Sequence, residues 1–177
     1  MGQMTVTVLK KKLEQKSKQE LIQDISELYK KFPAVKEYYQ IQQGDIKLIL
    51  DKYKDIIKKE FVDGYTKGLP KARLSVARKA VQDFKKMTTN PELLADIMFT
   101  FVESISNFNT EFATDDESFY TSPEGMFEKS LELLNKNNLL QAFKERVYRI
   151  VDNATEGWGH FDSLQEIYER FYGEFVR

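Results

Sequence analysis

His160 is the only histidine in the sequence, and so the only side chain whose ordinary charge change falls near neutral pH. It sits in the run Gly157-Trp158-Gly159-His160-Phe161-Asp162. One imidazole cannot form a multi-histidine metal site or the H-E-x-x-H zinc motif. Paired with Asp162, Glu166 or Glu169 it would make a histidine–carboxylate couple suited to proton transfer. The plainer reading is a turn, in which two glycines redirect the chain, Trp158 anchors it and Asp162 caps the next helix. Trp158, His160 and Asp162 are therefore read as a pocket or loop, and no residue is read as catalytic.

The carboxylates point no more firmly to chemistry. Asp115-Asp116-Glu117 starts like a cation loop but lacks the alternating ligands, central glycine and closing glutamate of a calcium-binding hand. Glu92 and Asp96 share a helix face at i, i+4, with Glu103 further along the same apolar segment. A di-metal centre on such a helix wants Glu-x-x-His pairs from facing helices, which one histidine cannot supply. These carboxylates are expected at the solvent edge or paired with basic neighbours. The chain has no cysteine, so thiolate ligands, thiol nucleophiles and disulfides are excluded. Serine and threonine hydroxyls have no base at motif spacing. No metal and no cofactor is expected.

The basic residues are more organised. The net charge is −1, yet residues 46–87 carry +7 and residues 88–135 carry −9. Lys71, Arg78 and Lys85 recur every seven residues and are expected on one helix face with Ser75 and Gln82; Lys67, Arg73, Lys79 and Lys86 widen it. Such a face would bind nucleic-acid phosphates without reading sequence. Its plainer role is a solvated face that complements the acidic segment within the chain or across a dimer.

The elements that carry these residues read as helices throughout. Ser17-Lys18-Gln19-Glu20 is a capping box. Leu21, Ile22, Ile25, Leu28, Tyr29 and Phe32 then follow the 3-4 spacing of one buried face, which Pro33 ends. Leu9 and Leu13 mark a short lead-in helix. Asp45 is expected to cap a helix through Ile46, Ile49, Leu50, Tyr53, Ile57 and Phe61, with Gly64 and Gly68 at its end. The segment 71–87 follows, and Asn90-Pro91 then opens a helix apolar on nearly all sides. Residues 114–121 read as an acidic loop, Ser122-Pro123-Glu124 as a helix start, and 139–155 and 162–175 as the last two helices. Period-2 alternation is confined to residues 5–8. The expectation is a single all-α domain over residues 1–177, a compact bundle of six to eight helices around the apolar segment 91–112, with disorder at most over 1–7.

Three blocks carry a resemblance: Ser17-Lys18-Gln19-Glu20-Leu21-Ile22 running into Tyr29-Lys30-Lys31-Phe32-Pro33; Lys71-Ala72-Arg73-Leu74-Ser75-Val76-Ala77; and Gly157-Trp158-Gly159-His160-Phe161-Asp162. Together they resemble a family of small bacterial helical proteins catalogued only as a domain of unknown function, which implies a helical fold and no particular activity, cofactor or partner. The first block is also similar to helix-extended-helix DNA-binding elements but lacks their glycine-containing turn, so that function is not carried over.

The N-terminus shows no apolar run behind a basic cluster, and no window approaches a membrane span, so a cytoplasmic protein without membrane contact is expected. The function that remains is non-enzymatic binding through self-association or a protein partner. Nucleic-acid binding by residues 67–86 is the alternative, and an enzyme centred near His160 the second alternative.

Overall fold

The computed structural model describes residues 4–44, 46–63 and 68–177, so Asp45, Gly64 and Lys67 lie outside it. Among the described residues the fold is all-helical. In chain order the helices are α1 (Val6–Leu13), α2 (Lys18–Lys31), α3 (Pro33–Gln42), α4 (Ile46–Phe61), α5 (Leu74–Lys85), α6 (Pro91–Phe112), α7 (Ser118–Lys136), α8 (Leu140–Asp152) and α9 (His160–Tyr172), with a 3-10 turn at Gly157–Gly159 before the last. Helix α3 is additional to the sequence reading. Pro33, expected to end a helix, both ends α2 and occupies the first turn of α3, where its missing N–H costs nothing. The chain divides into two compact units, Met1–Ile46 and Lys47–Arg177.

In the first unit the capping box forms as expected: the Ser17 hydroxyl accepts from the Glu20 amide (3.3 Å) and the Glu20 carboxylate accepts from the Ser17 amide (2.8 Å). Helices α2 and α3 meet where Tyr29 sets its ring edge-on to Tyr39. Neither α1 nor α2 contains a buried residue, and the one buried residue of α3 is Glu37. The α2 face expected to be buried is therefore open.

The second unit holds the core. Helix α6 is capped by Asn90, whose side-chain oxygen accepts from the amides of Glu92 (2.9 Å) and Leu93 (3.2 Å). Residues 97–102 of α6 are all buried, so the helix is covered on every side along that stretch. Phe99 and Val102 join Phe127, Leu131 and Leu134 of α7, Val147 and Val151 of α8, and Leu164 and Ile167 of α9 in one apolar cluster. Helix α4 adds Tyr53 against Phe84 of α5, and Phe61 against Phe108 of α6.

The starts of α7 and α9, like that of α5, differ from expectation. Helix α7 begins at Ser118, leaving Pro123 inside it. Proline there withholds the N–H that would bond the Phe119 carbonyl. That carbonyl instead accepts from the side-chain amide of Asn109 on α6, at 2.8 Å. A neighbouring helix thus supplies the missing donor, which is how Pro123 is tolerated. Helix α9 begins at His160 with Gly159 (φ +66°) before it, so Asp162 lies within the first turn and does not cap it. Its carboxylate there still favours the positive helix end.

Candidate interaction surface and polar sites

The histidine joins three helices. His160 is fully buried; its Nδ1 lies 2.8 Å from Glu124 Oε1 on α7, and its Nε2 lies 2.9 Å from Ser106 Oγ on α6. One ring nitrogen thus meets a carboxylate and the other a hydroxyl that can either donate or accept. Its partners are not Asp162, Glu166 or Glu169. All three carboxylates follow it within one helix, whereas Glu124 and Ser106 arrive from other helices, 36 and 54 positions away. Serine, imidazole and carboxylate stand in the order that activates a nucleophile in hydrolases. Ser106 is only 3% exposed, however, and its own amide and that of Asn107 lie within α6, where they serve the helix and cannot bind an oxyanion. The chemistry this arrangement supports is cross-linking of α6, α7 and α9. Trp158, in the left-handed region (φ +58°), is 63% exposed and lays one face on Tyr120 at 5.8 Å, so it caps the outside of the cluster and does not fill a pocket.

The acidic residues of α6 meet basic partners. Arg146 of α8 donates Nη1 to Asp96 (2.6 Å), and Nε and Nη2 to the two oxygens of Glu103 (both 2.8 Å). Lys54 of α4 completes the cluster with 3.0 Å contacts to Asp96. Burial alone would raise the Asp96 pKa, but hydrogen bonds from Arg146 and Lys54 reverse this and hold it below 3.8. Glu60, nearly buried at the end of α4, takes a two-pronged bond from Arg73 (2.6 and 2.9 Å) that holds it below 4.5. Both carboxyls keep their charge to lower pH folded than unfolded, so their contribution is complete above about pH 4.5 and is lost as pH falls through their folded values. Urea midpoints are therefore expected to fall steeply from pH 5 towards 3. The fall should flatten in a Glu60→Gln, Asp96→Asn double variant; an unchanged slope in that variant would refute the assignment.

The basic segment is divided up by this folding. Ala72 adopts φ +50°, which no helix continues, so α5 starts at Leu74 and Lys71 lies outside it. Lys71, Arg78 and Lys85 consequently do not share one helix face. Arg73 is bound to Glu60, and Lys79 and Lys86 both bond Asp83 at 2.8 Å. Arg78 and Lys85 instead line a groove between α5 and α7, opposite Lys129 and Ser122. Nothing in the sequence marked Lys129 or Ser106 for these places, and Ser122 and Glu124 read only as a helix start.

One further surface stands out in the first unit. Ile22, Ile25, Leu28 and Tyr29 of α2, and Phe32 just past its end, are between 37% and 55% exposed and form one apolar stripe. Among the described residues no three histidine, aspartate or glutamate side chains converge to hold a metal, and no helix is long and apolar enough to cross a membrane.

An all-helical protein with a buried polar clamp, a basic groove and an open apolar stripe is thus defined. The chain belongs to a family of unknown function (DUF6155), which it matches over residues 4–172. No curated protein and no solved structure matches it.

Proposed function

We propose that this protein works by association and not by catalysis, and that the α2 stripe joins two copies of the chain. The observation that carries this reading is the open stripe itself: five large apolar side chains on one helix and its C-terminal cap, in a unit with no buried apolar side chain among the described residues. A unit of this size cannot offset its chain entropy without covering such a face. Ile22, Ile25, Tyr29 and Phe32 follow the 3-4-3 spacing of a two-helix seam.

The stripe is also self-complementary. Ile22 and Phe32 lie equally far from Glu27 along α2, as do Ile25 and Tyr29, and Asp24 and Lys30. An antiparallel pair crossing at Glu27 would set Ile22 against Phe32 and Ile25 against Tyr29 of the partner, with Leu28 beside Ser26 and Asp24 beside Lys30, the relation a two-fold interface requires. Covering the exposed half of each side chain is worth about 1 kcal/mol apiece. A chain without cysteine suits a reducing cytoplasm, which is part of the same reading.

Sedimentation of the full chain tests it. The wild type is expected to dimerise, and Ile25→Lys to weaken the dimer by at least about tenfold while leaving the helical spectrum intact. A dimer of this kind is nearly indifferent to salt, whereas one joined through the +7 and −9 segments would weaken steeply with it. A wild-type monomer at about 100 μM, a concentration at which such a seam should hold, would refute the proposal.

A further inference from the structure

The groove between α5 and α7 encloses about 420 Å³ and gathers three cations, Arg78, Lys85 and Lys129, with no carboxylate among its lining residues. None of the three has an ion-pair partner among the described residues, although Arg73, Lys79 and Lys86 nearby all do. Arg78 donates to Ser122, which fixes its guanidinium at the groove wall. Lys85 lies close enough to Lys129 that partial burial first, and the neighbouring charge second, push its amine below the ordinary lysine value. Two like charges facing each other in a concave site, neither in an ion pair among the described residues, are stabilised by an anion bound between them.

The surroundings narrow the class of anion. Three positive charges match a dianion better than a monocarboxylate, and an arginine fork beside two lysine point charges is a common phosphate-binding set. Gln82, Thr121 and Ser122 add neutral hydrogen-bonding groups at the rim, while partly exposed Met126 lies at the floor beside the buried Val81 and Phe101. Gly125 of α7 also lines the groove, and a Cβ added there would meet nothing within 4 Å. The adjoining hollow, past Lys85 and Lys129, adds Lys136 and one carboxylate, Glu132, so the positive character continues beyond the groove. A basic helix face broken up by Glu60 and Asp83 suits an extended polynucleotide poorly, but its remaining cations converge on a space the size of a small molecule.

We propose that this groove is a binding site for a small phosphomonoester, with Arg78, Lys85 and Lys129 holding the phosphoryl group and Met126 meeting the apolar part of the ligand. The site lies in the second unit and does not depend on the α2 stripe.

Titration of the full chain at low salt with inorganic phosphate, pyrophosphate and phenyl phosphate tests this. Saturable binding is expected, strongest for phenyl phosphate, and acetate should displace none of them. Lys85→Gln and Lys129→Gln are each expected to lower affinity about tenfold, since each removes one charge-assisted hydrogen bond. Gly125→Glu, which puts a carboxylate into the groove without crowding the helix, should abolish binding, while Lys71→Gln, outside the groove, should leave it unchanged. Failure of all three phosphates to bind, binding indifferent to the groove variants, or equal displacement by acetate would each overturn the proposal. So would an oligonucleotide that binds through Lys85 and Lys129 when the small phosphates do not.

Discussion

Arg146→Ala is expected to lower the unfolding free energy by about 2–4 kcal/mol. The guanidinium is three-quarters covered, joins α8 to two carboxylates of α6, and lies over the Phe99 ring at 5.5 Å. Removing it leaves Asp96 with Lys54 alone and Glu103 with no partner in the cluster. Most of the loss is the cost of those stranded carboxylates and not the intrinsic worth of the pairs. Arg146 is one of the groups that hold the Asp96 pKa below its ordinary value, so the gap between wild type and variant should narrow between pH 7 and pH 3. Urea unfolding at the two pH values decides it; a loss below about 0.5 kcal/mol at pH 7 would mean the cluster is a solvated surface pair.

His160→Ala is expected to cost about 2–4 kcal/mol, because it opens a cavity and strands both the Ser106 hydroxyl and the Glu124 carboxylate. Ser106→Ala should cost less, about 1–2 kcal/mol, since it leaves only Nε2 unpaired. That ordering separates a clamp from a catalytic relay, in which either change would cost activity and leave the melt unmoved. Ser106 lines a hollow of about 460 Å³ with Arg146 and Arg149, but its side chain is 3% exposed, so the clamp predicts no reaction with a small electrophile. Covalent capture of Ser106 by an organophosphorus probe would contradict the clamp and restore an enzymatic role.

The local signals were readable because short-range physics decides them. Ser17 and Asn90 cap where their side chains predict, since a cap needs only the next three amides. The apolar circumference of α6 was legible for the same reason. Pro123 was misread as a helix start because proline favours the first turn. The compensating donor, Asn109, lies on another helix, and nothing in the sequence marks it. His160 shows the same limit, since no local pattern reports Glu124 and Ser106. The α2 stripe marks a third boundary: periodicity announces a face that wants covering, but not what covers it. The seven-residue recurrence of Lys71, Arg78 and Lys85 was a true spacing on a helix that starts three residues too late to use all of it.

The stacking of Trp158 on Tyr120 also has an optical meaning. Trp158 is the sole tryptophan, and Tyr120 in turn sets its edge on His160, so indole emission reads one place only, the α7–α9 junction. Because Trp158 lies in the second unit, a melt followed by fluorescence traces that unit alone, while far-ultraviolet dichroism also counts α1, α2 and α3. Transitions that coincide by both readouts would mark one cooperative body; an early dichroic loss with silent fluorescence would mark a first unit that melts by itself.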